Sequence, residues 1–324
     1  MRNPQTLYLR ALACLVTLPG AWLPAHADSA ATPAIPGVVD AGTPIELVKE
    51  GFEAVEGPLP QADGGLLFTN NRLARILQVA ADGSVSVWSE GTNSANALAR
   101  TARGEIVATL QESLAIGAMK PGEPPRVLVH DYRGIPFNRP NDLVASKRGD
   151  IYFTDTVPLT ATAPPAMPSA LYRLTAKQEL VRIADDIARP NGVALSPDER
   201  TLYVANTSGE WVLAFALDRK GSAGERREFA KLVLPPEVPN QVRAIGGAGA
   251  DGLAIDEKGR LYVATTVGVQ VFSSAGTPLG IIALPKTPQN LAFSGPGRSV
   301  LFVVGRGAVY RIATLTRGPR RPGK

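Results

Sequence analysis

The chain has 324 residues, of which 44% are hydrophobic and 19% charged, a composition typical of a globular protein. Six of its basic residues lie near the two ends, at Arg2, Arg10, Arg317, Arg320, Arg321 and Lys324, so residues 28–316 have 28 basic against 29 acidic side chains and a net charge of −1. This central part lacks the basic footprint of a nucleic-acid-binding protein. Because the single cysteine is Cys14, it also offers no disulfide and no thiolate metal site.

Residues 1–27 have the pattern of an export signal. Arg2 and Arg10 precede the apolar run 11–23, and the segment ends in Ala25-His26-Ala27. The pattern predicts cleavage after Ala27 and a bacterial periplasmic location. The apolar run is shorter than the roughly 20 residues that a membrane-spanning helix needs, and no later stretch reaches that length. We therefore expect no membrane span.

A repeated pattern runs through the rest of the chain, and residues 189–207 are its clearest copy. We interpret Asn191-Gly192 as a turn, which is followed by a short apolar run, a second turn at 197–200 and an alternating strand at 201–205. A polar residue occupies the position of Asn191 in every copy, and we call these six the anchor residues: Glu56, Asn96, Asn141, Asn191, Asp251 and Asn290. Their separations of 40, 45, 50, 60 and 39 residues match the length of four-stranded propeller blades. The sequence predicts an all-β fold, a six-bladed β-propeller over residues 45–313.

The flanks and two insertions complete the predicted organisation. Residues 28–44 are expected to form a flexible N-terminal segment, and residues 314–324 a basic flexible tail. The stretch 45–52 has no neighbouring hairpin partner, so we expect it to pair with the strand at 309–312 and close the ring. The insertions 157–169 and 235–250 are candidates for pocket walls or a lid, with mobile surface loops as the alternative.

The anchor residues are expected to converge on one end of the central channel. A preference for turn-forming residues is an alternative reason for Asn191 and Asp251 at their anchor positions. Glutamate is a poor turn former, so this alternative does not account for Glu56. Six oxygen-bearing side chains around one axis favour a central metal site for a hard cation such as Ca²⁺ or Mg²⁺.

Six motifs follow one another at blade spacing: Glu56-Gly-Pro, Arg139-Pro-Asn141-Asp, Phe153-Thr-Asp155, Arg189-Pro-Asn191-Gly, Leu202-Tyr-Val-Ala-Asn206-Thr and Ala250-Asp251-Gly-Leu. In this order they resemble the signatures of the senescence-marker-protein/gluconolactonase/luciferin-regenerating-enzyme family over nearly the whole mature chain. The resemblance implies a six-bladed propeller with one divalent cation, usually calcium or zinc, that hydrolyses lactones or related esters.

By the same resemblance, Glu56, Asn191 and Asp251 are the implied metal ligands, and Asp251 is also the implied catalytic acid/base. Arg139 and Asn141 match positions that contact substrate or complete the metal shell. We expect Ca²⁺ first, with Zn²⁺, Mn²⁺ and Mg²⁺ as alternatives. Segments 68–71 and 109–112 and the loop after Asp155 depart from the family pattern, so the resemblance leaves the particular lactone open.

Three further points shape the functional hypothesis. His130 is the only histidine of the mature chain, for which we expect a surface or structural role, and a serine-hydrolase triad is therefore disfavoured. Asp155 and Asn206 either reach the channel or cap a turn. The leading hypothesis is a metal-dependent lactonase or esterase acting on a small molecule; the alternative is a non-enzymatic periplasmic propeller that binds a small ligand or a protein. The oligomeric state stays open.

Overall fold

The computed structural model describes residues 30–234 and 247–320. The expected export signal and residues 235–246 of the second insertion lie outside the described residues. In chain order the strands are β1 (Glu46–Glu50), β2 (Val55–Pro60), β3 (Leu66–Asn70), β4 (Arg75–Val79), β5 (Val85–Glu90), β6 (Ala95–Arg100), β7 (Ile106–Leu110), β8 (Ala115–Met119), β9 (Arg126–Val129), β10 (Asp131–Tyr132), β11 (Ile135–Pro136), β12 (Pro140–Ala145), β13 (Ile151–Asp155), β14 (Ala170–Leu174), β15 (Leu180–Ala184), β16 (Pro190–Leu195), β17 (Thr201–Asn206), β18 (Trp211–Leu217), β19 (Ala223–Lys231), β20 (Leu253–Ile255), β21 (Leu261–Thr265), β22 (Gly268–Phe272), β23 (Pro278–Ile282), β24 (Asn290–Ser294), β25 (Val300–Gly305) and β26 (Ala308–Ala313). Two short 3₁₀ helices, Asn71–Leu73 and Pro296–Arg298, accompany them in the described chain.

Twenty-four of these strands form six antiparallel four-stranded sheets, which are the blades of a propeller, and β10 and β11 pair with each other between blades 2 and 3. Blades 1 to 5 are β2–β5, β6–β9, β12–β15, β16–β19 and β20–β23, and blade 6 has the strand order β1-β26-β25-β24. The innermost strands β2, β6, β12, β16, β20 and β24 contact one another in succession, and β24 contacts β2. The predicted all-β, six-bladed propeller is confirmed.

The hydrophobic core is divided into layers between the blades. Each of the six clusters of buried apolar side chains in the described chain joins two adjacent blades. The cluster between blades 6 and 1, for example, packs Phe68 and Val55 against Phe302 and Val304. Burial of apolar surface therefore holds neighbouring blades together and sets the ring.

Blade 6 closes the ring with a strand from the beginning of the domain. β1 pairs antiparallel with β26, with Glu46 opposite Arg311 and Glu50 opposite Ala308. The expected closure is confirmed, and it covers an edge of β26 that would otherwise be free to pair with another chain.

Asn191-Gly192, interpreted above as a turn, lies inside strand β16 instead. The strand register shifts there between Pro190 and Val193, and similar shifts follow Glu56, Ala95 and Pro140 in blades 1 to 3. A Cβ atom on Gly192 would lie 2.2 Å from the carbonyl oxygen of Asp251 in the next blade. Glycine is required here by the close approach of blade 5 and not by turn geometry.

The described parts of both flanks are packed on the propeller, contrary to the flexible segments expected from their composition. Ile35 and Val38 are buried in the cluster shared by blades 5 and 6. Thr316 is 2% exposed, and its Oγ1 donates to Oδ2 of Asp256 at 3.1 Å. The two flanks also meet, since the backbone N–H of Leu315 donates to the carbonyl of Val38. The apolar residues of the first flank bury surface, which offsets the entropy of ordering it.

No helix in the described ranges has the length and apolar character needed to cross a membrane.

Candidate functional site

All six anchor residues lie at the beginning of the innermost strands. Glu56, Asn96, Asn141 and Asn191 are the second residues of β2, β6, β12 and β16, Asp251 precedes β20 by two residues, and Asn290 is the first residue of β24. Because these strands begin at the same end of the ring, the anchors surround one opening of the central channel, which we call the mouth. The structure thus brings the predicted site residues to one end of the propeller.

A circle of hydrogen bonds connects each anchor position to the next around the mouth. The donors and acceptors are Thr69 Oγ1 to Asn96 O (2.8 Å), Asn96 Nδ2 to Asn141 O (2.9 Å), Thr154 Oγ1 to Asn191 O (2.7 Å), Gly192 N to Asp251 O (3.1 Å), Gly252 N to Gln289 O (2.7 Å) and Asn290 Nδ2 to Glu56 Oε2 (3.0 Å). Most of these bonds fix backbone atoms of the anchors, so the anchor side chains project from a backbone held by the neighbouring blades.

Threonine hydroxyls that make part of this circle were not among the residues predicted from the sequence. Thr69, Thr109 and Thr154 are buried in the second strands of blades 1 to 3. Each donates its hydroxyl to the carbonyl of the next blade's anchor; for Thr109 the acceptor is Asn141 O at 3.0 Å. A signal was available, because each threonine follows the anchor of its own blade by 13 residues.

Glu56 is a buried, hydrogen-bonded carboxylate at the mouth. It is 6% exposed and accepts hydrogen bonds from Asn290 Nδ2 at 3.0 Å, Gln289 Nε2 at 3.4 Å and its neighbour Gly57 N at 3.2 Å. Hydrogen bonds of this kind stabilise an ionised carboxylate in a buried position.

Asn191 and Asp251 are placed by contacts between blades 4 and 5. Nδ2 of Asn191 donates to Oγ1 of Thr207 at 3.1 Å, and that hydroxyl donates to the carbonyl of Ala250 at 2.7 Å. Since the amide nitrogen of Asn191 is used by Thr207, the amide oxygen is the atom available for a ligand. Asp251 is half-buried, and its backbone N–H donates to Ala264 O at 2.9 Å.

Two arginines occupy equivalent positions, each two residues before an asparagine anchor. Residue Arg139 is exposed and its Nη2 donates to Oε1 of Gln111, while Nη1 of Arg189 donates to Val157 O at 3.2 Å. Burial lowers the pKa of Arg189; the negative charge of Asp251 opposes this effect and the positive charge of Arg139 adds to it. One side of the mouth therefore combines two guanidinium groups with the carboxylate of Asp251.

Asp155 and Asn206 cap the loops that precede the anchors, which was one of the two alternatives. Oδ1 of Asp155 accepts from the backbone N–H of Arg139 at 2.6 Å, and Oδ2 accepts from the backbone N–H of Asn138 at 2.9 Å. Oδ1 of Asn206 accepts from the backbone N–H of Arg189 at 3.1 Å. Burial raises the pKa of Asp155, and the hydrogen bonds that it accepts from Asn138 and Arg139 oppose that shift. Both side chains thus position the backbone of an arginine.

Comparison with known proteins gives the relationship directly. Residues 55–306 match the family described as the SMP-30/gluconolactonase/LRE-like region. The chain belongs to this family.

Its relatives agree in sequence and in fold. A gluconolactonase of Zymomonas mobilis is 31% identical over 316 residues, which cover 89% of this chain and 86% of the relative. A solved gluconolactonase from Xanthomonas campestris has 29% identity and a TM-score of 0.75, covering 88% of this chain and 97% of that one. Regucalcin from Agrobacterium tumefaciens, a calcium-binding protein, has a TM-score of 0.72 and covers 86% and 97% of the two chains; at 19% identity it supports the fold alone.

The segment 109–112, which departs from the family pattern, borders a cavity at the mouth. The cavity has a volume of about 360 Å³, and its lining residues are Asn71, Arg72, Ser94, Gln111, Glu112 and Arg139. Gln111 and Glu112 therefore share this cavity with Arg139. The insertion 157–169 is close by, since Val157 bonds to both Arg189 and Ser169.

His130 lies away from these residues, in the link between blades 2 and 3. Its side chain is 65% exposed, and Nδ1 is 3.4 Å from Oδ2 of Asp131. This position agrees with the surface role expected of it.

The described residues contain no group of three His, Cys, Asp or Glu side chains arranged to hold a metal. The proposed ligand set has only two carboxylates, those of Glu56 and Asp251, because the third donor, Asn191, is an amide.

Proposed function

We propose that this protein is a lactone hydrolase whose active site is the mouth of the propeller. The observation that carries the proposal is the convergence of Glu56, Asn191 and Asp251 at one end of the ring, with Arg139 held beside them. The 31% identity to a gluconolactonase over most of both chains supports lactones as the substrate class. Related esters belong to the same proposal, since their carbonyl chemistry is the same.

The donor atoms of Glu56, Asn191 and Asp251 fit one hard divalent cation. All three supply oxygen, the ligand atom that Ca²⁺ and Mg²⁺ prefer. Asn290 fixes the carboxylate of Glu56 by a hydrogen bond. The hydroxyl of Thr207 accepts a hydrogen bond from the amide nitrogen of Asn191, so the amide oxygen of Asn191 points away from Thr207. We propose Ca²⁺ first, with Zn²⁺, Mn²⁺ or Mg²⁺ as alternatives. When bound, such a cation supplies polarisation of the ester carbonyl and balances the two carboxylates.

Side chains of the protein orient the substrate and transfer the proton. Arg139 and Asn141 orient the lactone, because a guanidinium and an amide both hydrogen-bond a carbonyl or a ring hydroxyl. Asp251 accepts a proton from the attacking water as the bond from water oxygen to carbonyl carbon forms. It returns the proton to the ring oxygen as the ring C–O bond breaks, and the product is a hydroxy acid.

The test is an activity screen of the mature protein on lactones and esters, first stripped with a chelator and then supplied with each of the four cations. We expect hydrolysis of at least one lactone that disappears on stripping and returns with one cation. Cation binding is also expected to stabilise the fold by about 2.7 kcal/mol at a hundredfold excess over the dissociation constant. No hydrolysis of any lactone or ester with any cation would instead favour the non-enzymatic binding protein.

We also propose that the protein is exported to the periplasm and begins at Asp28 after cleavage. The pattern of residues 1–27 supports this. N-terminal sequencing of protein from the native host is expected to begin at Asp28, and an intact Met1 would contradict export.

A further inference from the structure

Two further cavities, which adjoin each other, lie at the opposite end of the propeller from the mouth. Their walls include Ala145, Leu195 and Ile255, which are the last residues of β12, β16 and β20. The anchors stand at the beginning of the same strands. At about 3.3 Å per residue, Asn141 and Ala145 are separated by roughly 13 Å along β12. We call this pair the back-face cavities.

The inner back-face cavity is lined mainly by apolar residues of the innermost strands, with charged residues among the rest of its lining. It has a volume of about 410 Å³, and Ala145, Leu195, Ile255, Leu291 and Phe293 are among its lining residues. Its charged lining residues are balanced, two basic (Lys147, Arg320) against two acidic (Glu199, Glu257). Such a space favours the apolar part of a ligand.

The outer back-face cavity is cationic and adjoins the inner one. It has a volume of about 590 Å³ and shares Ala145, Lys147, Glu199 and Arg320 with its neighbour. Four basic side chains line it, Arg100, Lys147, Arg298 and Arg320, against the single carboxylate of Glu199. That carboxylate accepts the backbone N–H of Lys147 at 3.0 Å and 3.2 Å.

None of these four cations forms an ion pair with a carboxylate among residues 30–234 and 247–320. The hydrogen bonds recorded for three of them end on uncharged oxygens. Arg100 Nη2 donates to Gln61 Oε1 at 3.0 Å, Lys147 Nζ to Pro197 O at 3.1 Å and Arg298 Nε to Gly318 O at 3.1 Å. These bonds position the side chains without neutralising their charge, and the excess of four cations over the one carboxylate of Glu199 raises the local concentration of anions.

We propose that the back-face cavities form a binding site for a small amphiphilic anion, a carboxylate with an unbranched apolar chain. The carboxylate lies among Arg100, Lys147 and Arg298, where charge-assisted hydrogen bonds are available. The chain enters the apolar cavity along Ala145, Leu195 and Phe293. Each cavity volume falls within the range of about 300–1,000 Å³ that is typical of small-molecule sites. The site is separate from the proposed active site and does not depend on hydrolysis.

The choice of an amphiphilic anion follows from the two cavities together. An inorganic anion would satisfy the cations but leave the apolar cavity without a partner. An uncharged apolar molecule would fill the inner cavity but leave the four cations uncompensated. A carboxylate on an apolar chain matches both at once.

The experiment is calorimetric titration of the mature protein with sodium octanoate, inorganic phosphate and octyltrimethylammonium chloride. The variant Lys147→Gln/Arg298→Gln removes two of the cations, and Lys177→Gln/Arg219→Gln removes two exposed cations elsewhere as a matched control. Asp251→Asn tests whether the mouth is involved. All four proteins are first compared by thermal unfolding, so that a loss of binding can be separated from a loss of fold.

We expect octanoate to bind the parent, the control and Asp251→Asn alike, and to bind Lys147→Gln/Arg298→Gln at least tenfold more weakly. Phosphate and octyltrimethylammonium are expected to bind at least tenfold more weakly than octanoate. The proposal is overturned if octanoate does not bind the parent, if the folded double variant binds it equally, or if Asp251→Asn abolishes binding. Equal affinity for phosphate or for the cationic amphiphile would overturn it too, because one of the two cavities would then be dispensable.

Discussion

Asn290 donates a hydrogen bond from Nδ2 to Oε2 of Glu56 at 3.0 Å, which joins residues 234 positions apart in the chain. The bond links blade 6 to blade 1 at the mouth and fixes one of the proposed metal ligands. Oδ1 of the same asparagine accepts from the backbone N–H of Leu291 at 2.9 Å. One side chain therefore contributes both to the contact between blades 6 and 1 and to the placement of Glu56.

Gly252→Ala is expected to disturb this bond. An added Cβ would lie 2.1 Å from Oδ1 of Asn290, so the asparagine or the backbone has to move. We expect a loss of about 1–3 kcal/mol in the free energy of unfolding, as for other overpacked positions, together with weaker cation binding. The matched control is Gly224→Ala, where the nearest atom lies at 3.5 Å. Urea denaturation and calorimetry measure both effects, and equal stability of the two variants would contradict the role given to Asn290.

Asp251→Asn is expected to keep the fold and lose hydrolysis. An amide oxygen still ligates a cation weakly but the side chain no longer accepts a proton, so we expect kcat to fall by about 10²–10⁴-fold. Glu56→Gln is expected to weaken cation affinity with a smaller effect on kcat at saturating cation. Calorimetry and steady-state kinetics distinguish the two variants. If both bind the cation and turn over like the parent, the site lies elsewhere.

Arg139→Ala is expected to reduce turnover more than stability. The residue is exposed and its guanidinium bonds to Gln111 at the mouth, so the free energy of unfolding should change by no more than about 0.5 kcal/mol. Loss of a charge-assisted bond of about 1.5–3 kcal/mol to substrate lowers kcat/KM by about tenfold to a hundredfold. Arg139→Lys should retain only part of the parent's kcat/KM, because lysine lacks the planar guanidinium that can form two parallel hydrogen bonds. A large fall in melting temperature would mark Arg139 as structural.

Asp155→Asn is expected to alter the pH dependence of stability. Burial raises the pKa of this carboxyl above its usual value, so the native state binds the proton more tightly than the unfolded chain. The contribution of Asp155 to stability is therefore most favourable at low pH and is lost as pH rises through the raised pKa. The stability difference between parent and variant should shrink with rising pH from about pH 4 and then level off.

Asp82→Asn provides a control of opposite sign for that measurement. Hydrogen bonds from Ser84 lower the pKa of Asp82, so its contribution is present above the usual pKa and is lost as pH falls. Urea denaturation between pH 3 and pH 8 separates the two trends. A parent-to-variant difference for Asp155 that is constant or grows with pH would show that this carboxyl is not destabilised by burial.

The sequence by itself determined the number of blades, the closing strand and the six anchor residues. These features are local or periodic. A polar anchor, an apolar strand and a turn recur at the length of a blade, so each copy of the pattern predicts one blade. Asn191 and Asp251 could be named as anchors because they occupy fixed positions within such copies, whereas Arg139 was named from the resemblance of its motif to the family.

Only the tertiary structure decided how the copies contact one another. Asn191-Gly192 has the local composition of a turn, yet it lies in a strand because Asp251 of the next blade packs against the glycine. The flanks have the composition of flexible segments, yet Ile35 and Thr316 find partners in blades 5 and 6. The back-face cavities likewise combine Arg100, Lys147 and Arg298, which share no motif. Contacts between residues far apart in the chain depend on packing between blades, which short-range sequence patterns do not specify.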